Sequence, residues 1–239
     1  MGSKRIIRQA VKTDIPALIK LEKEIWGDKG TDVYGQEHFS AWLEVFPQGF
    51  LVAVNDGKVV AYISTQRINY IPGQSDKIDF NTMTDNGLIR KTHIPDGNSL
   101  YIVSFCSNDP GAGLELGIAG VNHEEALKSD YVVSACRMPG FAGFFETVID
   151  LNPEAEITSQ TEKNLALYYA ARVAIMIKGK FTELKLPRLD LKFPESIDRD
   201  PTIGKILQYP KVFLGGVISD YMKDPLSRDF GAIVILPMS

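Results

Sequence analysis

From Ser104 to Gly117 the chain reads SFCSNDPGAGLELG, directly after the apolar, β-branched run Leu100-Tyr-Ile-Val103. A strand that breaks into glycines and restarts as a helix can cradle an anion. Glycines let the backbone approach, and the new helix brings free N–H groups and the positive end of its dipole. Pro110 has no N–H to give, so the amides of Asp109, Gly111, Ala112, Gly113 and Leu114 are the candidate donors. An ordinary tight strand-to-helix turn suits the same residues, and the stretch alone does not choose. A dinucleotide fingerprint fits poorly. It expects its loop in the first βα turn and an acidic residue ending the next strand, whereas several strands precede Gly111 and Asp130 lies before its strand.

Other side chains could also do chemistry. Arg137 is the lone charge at the end of the apolar run Tyr131–Cys136, so it either snorkels to water or binds something. Cys106 ends the strand before the cradle, where its thiol could serve as a nucleophile. No histidine adjoins it in sequence to activate it, so it reads as a packed thiol. Cys106 and Cys136 lack metal-ligand spacing and read as reduced core residues, and no metal site is expected. His38 and His123 fall on predicted helices. His93 precedes the Leu100 strand, and its ordinary pKa near 6.5 suits taking a proton from an ammonium group. Phe141, Phe144, Phe145, Tyr168 and Tyr169 read first as core and second as the floor of a pocket.

The elements that must position these residues follow from pattern. Arg5–Val11 alternates as a strand, and apolar residues at Ile15, Leu18, Ile19, Leu21 and Ile25 follow helical spacing. A second helix runs from about Gln36 to Phe46. Phe50–Val54 and Val59–Ile63, joined by Asn55-Asp-Gly-Lys58, predict a hairpin. Residues 68–98 form a long polar excursion with one short helix, of the kind that is usually functional or mobile. Ser99–Ser107 is a strand, Leu114–Leu127 a helix, Tyr131–Cys136 a strand and Ala166–Ile177 a buried helix. Residues 179–200 wrap the surface, and Val212–Ile218 and Phe230–Leu236 are the last strands. No repeat or linker appears, so residues 1–239 read as one mixed α/β domain. With 239 residues and 44% hydrophobic composition, the chain can bury a sizeable core. A net charge of −4 gives no general pull toward nucleic acid or anionic lipid. No apolar stretch has the length of a signal peptide or a membrane span. The reading is a soluble cytoplasmic protein.

The order strand, two helices, hairpin, strand ending in a glycine loop, helix, strand resembles the GNAT acyltransferase superfamily. Its phosphate motif (Arg or Gln, two residues, Gly, any residue, Gly or Ala) is matched by Asn108-Asp-Pro-Gly111-Ala-Gly113 except at the first position. THIPDGNSLYIVSF, ACRMPGF, RDPTIGKIL and VISDYMKDPLSRDFGAIVIL resemble one branch of these proteins over roughly residues 50–239. Members of that branch stand alone, beside nitrilase-like hydrolase domains, or as loading domains of polyketide assembly lines. The resemblance implies a mostly antiparallel sheet with flanking helices, in which the fourth and fifth strands splay apart around a thioester.

It further implies that Val103 and Phe105 hold a pantetheine arm through backbone groups. Asn108 stands where the motif has a longer side chain. Tyr101 faces either the substrate or the core, and His93 is a candidate base. The branch often has Tyr after the Pro-Gly, as the acid for the leaving thiolate. Phe141 stands there and has no proton to give, leaving Tyr169 or Tyr221 as substitutes. Arg137 either holds a substrate carboxylate or fixes the strand end. The leading expectation is an acyl-CoA-dependent N-acyltransferase, using acetyl-CoA or another acyl-CoA, that acts on a small amine or amino-acid-like acceptor. The alternatives are a carrier-protein thioester as donor and a non-catalytic acyl-CoA-binding module. Loading domains have histidines in the stretch matching Asp200–Lys211, and none occurs here. Acceptor, acyl length and oligomeric state are left open.

Overall fold

The computed structural model describes residues 5–27, 33–73, 78–178, 184 and 186–238. The chain forms two compact units: Met1–Tyr70 with Asn81–Ser134 and Pro237–Ser239, and Ile71–Phe80 with Ala135–Leu236.

The first unit is built on β1 (Arg5–Gln9), β2 (Phe50–Asn55), β3 (Lys58–Ile68), β4 (Ser99–Ser107) and the start of β5 (Tyr131–Arg137), with helices α1 (Ile15–Trp26) and α2 (Gln36–Val45), all but the first residue of a short α3 (Phe80–Thr84), then α4 (Pro110–Val121) and α5 (Glu124–Leu127). The first four strands pair antiparallel, and β4 pairs parallel with β5. Asp56 and Gly57, both with positive φ (49° and 76°), make the predicted β2–β3 turn in the mirror-image form that matches strand twist. On one face of this sheet, the rings of Phe39 and Trp42 from α2 meet Phe50 and Tyr62. On the other, Ala112 and Leu116 of α4 pack on Leu51, Ala53, Ala61 and Ile63.

Two features of β4 matter for function. Its partners on β3 run Tyr62↔Cys106, Ser64↔Ser104, Thr65↔Ile102 and Gln66↔Tyr101, so Val103 is an extra residue, a β-bulge. The strict two-residue period that would put Tyr101 and Val103 on one face therefore breaks at Val103. Tyr101, Ser104 and Cys106 instead lie opposite Gln66, Ser64 and Tyr62 and share their face. The ladder to β5 is short: it joins Ser99–Ile102 to Tyr131–Ser134. Beyond it, Ser104–Ser107 pairs with β3.

The helix after β4 starts at Pro110, not Leu114, and ends at Val121 before the separate α5. The reason is local. Asp109 caps it with its side chain and Pro110 takes the first helical position, where its missing N–H does no harm. The glycine loop is thus the first turn of α4.

The second unit contains the end of β5, α6 (Phe141–Leu151), α7 (Ser159–Lys178), α8 (Ile203–Ile206), β6 (Phe213–Ile218) and β7 (Gly231–Pro237). Its core gathers Phe141, Phe144, Val148, Leu165, Ala170 and Val173 with strand residues such as Leu214 and Val234. The helix α7 begins seven residues before the predicted Ala166, because its polar first two turns hide the apolar period. In the first unit the strand order reads β1-β2-β3-β4-β5, and in the second β6 pairs antiparallel with β7. The fold is mixed α/β with a seven-stranded, mostly antiparallel sheet. No described helix is long and apolar enough to cross a membrane.

Candidate active site

At the β4–α4 junction two of the five candidate amides already hold an anion. The Asp109 carboxylate Oδ1 accepts the N–H of Gly111 at 2.9 Å and of Ala112 at 3.1 Å. The Gly113 N–H bonds the Asp109 carbonyl at 2.9 Å, as in any helical turn. The Asp109 N–H goes to the Ser107 hydroxyl at 3.2 Å. The Arg5 guanidinium from β1 reaches Asp109 Oδ2 at 3.1 Å and Glu115 at 2.6 Å. A side-chain carbon added at Gly111 would lie 3.4 Å from both terminal Arg5 nitrogens. The Ala112 N–H, the Arg5 charge and the Gly111 N–H together hold the Asp109 carboxyl below the usual carboxylate range. Asn108, where the motif has Arg or Gln, donates to Glu24 at 3.2 Å. Arg5 thus brings a cation to the cradle from 104 residues away. Nothing in the local sequence foretells that pairing.

Phe105 and Leu114 are exposed apolar residues beside this junction. Val103, the bulge residue, is buried.

Behind β4 lies a polar line. Glu22 of α1 is 2% exposed. Its Oε1 accepts the Tyr62 hydroxyl at 2.5 Å, its Oε2 accepts the Tyr34 N–H at 3.2 Å, and the Tyr62 oxygen lies 2.8 Å from the Ser104 hydroxyl. Burial raises the Glu22 carboxyl above its ordinary range, against hydrogen bonds from Tyr62, the Tyr34 N–H and the Cys106 thiol. Burial and the Glu22 charge push Tyr62 well up. Sequence reading missed this trio, although one signal was there: Glu22 falls four residues after Leu18, on the apolar stripe of α1, where a charge needs a reason.

His93 is also in this unit. Its Nδ1 accepts the Arg67 N–H at 3.2 Å and its ring lies 4.6 Å from that of Phe46. Burial and the Arg67 charge lower its pKa. Tyr101 is buried on the same β4 face as Ser104.

The remaining candidates belong to the second unit. Arg137 makes a two-pronged ion pair with Asp224, Nε and Nη2 each 2.6 Å from a carboxylate oxygen. Asp224 also accepts the Ser227 hydroxyl, whose oxygen accepts the Met138 N–H at 2.9 Å. Burial works to raise Asp224, but Arg137 and Ser227 outweigh it and hold the carboxyl low. Tyr169 donates to Asp200 at 3.0 Å, and Asp200 further accepts the N–H groups of Gly140, Thr202 and Ile203. Burial, then Asp200, raises the Tyr169 hydroxyl. Phe141 is fully buried among Phe144, Phe145, Tyr169 and Phe230.

No protein-family model matches the chain. A curated relative, the "Probable hydrolase YhcX" of Bacillus subtilis (strain 168), is 32% identical over 98 residues, 41% of this chain and 18% of that protein. The GNAT-like decarboxylase GphF, solved in complex with isobutyryl-CoA, superposes with a TM-score of 0.66 at 19% identity, over 98% of this chain and 100% of that one. The loading GNATL domain of CurA from Lyngbya majuscula superposes with a TM-score of 0.61 at 14% identity, over 98% of each chain. With those likenesses and the bulged, briefly paired β4 that runs into a capped helix, this chain has the GNAT fold.

Proposed function

We propose that this protein is an N-acyltransferase that moves an acetyl or other acyl group from coenzyme A to a small amine or amino-acid-like acceptor. The observation that carries this reading is the β4–α4 junction, where a bulged strand leads into a helix whose first-turn amides already bind a carboxylate. Amides that hold one anion suit another. Val103 and Phe105 take the pantetheine arm through their backbone groups, and the first turn of α4, Gly111 to Leu114, takes the pyrophosphate. The Asp109 carboxylate leaves the Gly111 and Ala112 amides when phosphate arrives. Arg5, beside the same amides, supplies the cation that Asn108 does not.

Transfer needs a neutral amine set against the thioester carbonyl and a proton for the leaving thiolate. Tyr101 and Ser104 are the β4 hydroxyls on the acceptor side. His93, Arg137 and Tyr169 would each have to give up an internal partner to act on substrate. We assign them to holding the fold, with Phe141 as core.

The test is free-thiol release from acetyl-CoA across a panel of amines and amino acids. Amine-dependent release is expected. Acetyl-CoA binding without such release, with either donor described below, would leave only a binding module.

A second reading keeps the chemistry and changes the donor to a carrier-protein phosphopantetheine thioester. The Asp109 carboxylate favours it, because a carrier arm brings one phosphodiester to the cradle rather than a pyrophosphate. The likeness to a loading domain adds support. The same assay with an acylated carrier protein decides between the donors.

A further inference from the structure

The geometry points to a proton relay in which Ser104, Tyr62 and Glu22 carry a proton from an ammonium group at the β4 surface to a carboxylate buried under α1. This rests on the acyl-transfer reading. Three observations carry it. The two hydrogen bonds, 2.8 Å and 2.5 Å, are continuous from a partly exposed hydroxyl to a carboxylate with 2% exposure. Tyr62 is fixed by the surrounding rings of Phe39, Trp42 and Phe50, with centroids 5.6–6.0 Å away, so the line is preorganised. Directly across from Ser104 stands Ser64. Its buried hydroxyl has no hydrogen-bond partner among the described residues. A buried orphan hydroxyl is costly, and a polar group delivered beside Ser104 would satisfy it.

The position of Glu22 is itself unusual. Burying a carboxylate carries a large desolvation cost before its hydrogen bonds are counted. The groups acting on it are the Tyr62 hydroxyl from β3, the Cys106 thiol from β4 and the Tyr34 amide from the segment after α1. From α2, Phe39 and Trp42 pack against Tyr62, and the titratable His38 packs against Tyr34, ring centroids 4.9 Å apart. Desolvation makes the carboxylate a stronger proton acceptor.

The step balances as follows. The amine arrives as R–NH3+. One of its protons passes to Ser104 Oγ while the Ser104 proton moves to Tyr62 Oη and the Tyr62 proton to Glu22 Oε1. This leaves a neutral amine, two neutral hydroxyls and a carboxylic acid. The amine lone pair attacks the thioester carbonyl, the C–N bond forms, and the C–S bond breaks with its electron pair on sulfur. The proton shed by the new amide nitrogen goes to the thiolate, and Glu22 returns its proton to solvent along the same line.

The experiment is the pH dependence of amine-dependent thiol release from acetyl-CoA. It compares wild type, Tyr62→Phe, Ser104→Ala, Ser104→Thr and Glu22→Gln, with acetyl-CoA affinity and thermal midpoint measured in parallel. Tyr62→Phe and Ser104→Ala are expected to lower kcat about a hundredfold with unchanged acetyl-CoA affinity, and to move the acid limb of the profile up toward the free amine's own pKa. Ser104→Thr, which keeps the hydroxyl, should restore the limb. If Glu22→Gln does not fold, Tyr62→Phe still decides, because it deletes one oxygen. An acid limb that stays in place, with kcat within about threefold of wild type in both hydroxyl deletions, would overturn the relay and leave acyl transfer standing. Absence of amine-dependent release by the wild type would overturn the transfer reading, and the relay with it.

Discussion

Asp109 Oδ1 accepts the Gly111 N–H at 2.9 Å, so a side-chain anion sits where the cradle would take an external one. Asn caps a helix about as well as Asp, which separates charge from capping. Asp109→Asn is expected to raise acetyl-CoA affinity severalfold in calorimetry while the thermal midpoint barely moves. Unchanged or weaker affinity would mean that the pyrophosphate does not displace this carboxylate.

The Arg137–Asp224 pair gives a stability prediction with a sign. Asp224 is fully buried, and removing its partner leaves an uncompensated charge, which costs about 3–5 kcal/mol. Arg137→Gln should therefore lower the thermal midpoint sharply at pH 7. The folded Asp224 carboxyl lies below its ordinary range. The stability that it contributes is present above the unfolded value, near pH 4, and is lost as pH falls through the folded value. The gap between wild type and variant should accordingly narrow on acidification below about pH 4. A raised acceptor KM with an unchanged midpoint would return Arg137 to substrate binding.

His93 carries a lowered pKa. Its stability contribution is present above the unfolded value, about 6.5, and is lost as pH falls toward the folded one. Wild type should lose midpoint between about pH 7 and pH 5, and His93→Gln should lose less. The acid limb of thiol release should be the same in both proteins. A limb that moves in His93→Gln would make His93 the base.

Tyr169→Phe removes one hydrogen bond to Asp200, whose other donors are the Gly140, Thr202 and Ile203 amides. A loss of about 1 kcal/mol is expected, read by chemical denaturation, with kcat unchanged. A fall in kcat of about a hundredfold would instead make Tyr169 the acid for the thiolate.

The sheet was legible in the sequence where local rules govern. The Asp56-Gly57 turn set the hairpin, and β-branched runs marked the strands. What was not legible depended on partners far along the chain. The Val103 bulge is visible only in the register between β3 and β4, and it moves Ser104 and Cys106 onto the face of Tyr62. The α4 start was misread because the glycines that suggest a loop sit behind a capping Asp109-Pro110 pair. At the site, the glycine cradle and β4 were found by pattern, whereas Arg5 and Asp224 were not, since ion pairs 104 and 87 residues apart leave no local trace. Glu22 and Arg137 did carry a local sign, a charge on an apolar stripe and a charge ending an apolar strand, but neither sign named its partner.

The most direct test follows the backbone amide signals of isotopically labelled protein as acetyl-CoA is added. The account predicts saturable shifts at Gly111, Ala112 and Gly113 and at Val103 and Phe105, with the same affinity at every site. Binding that shifts other amides and leaves these five in place would contradict it.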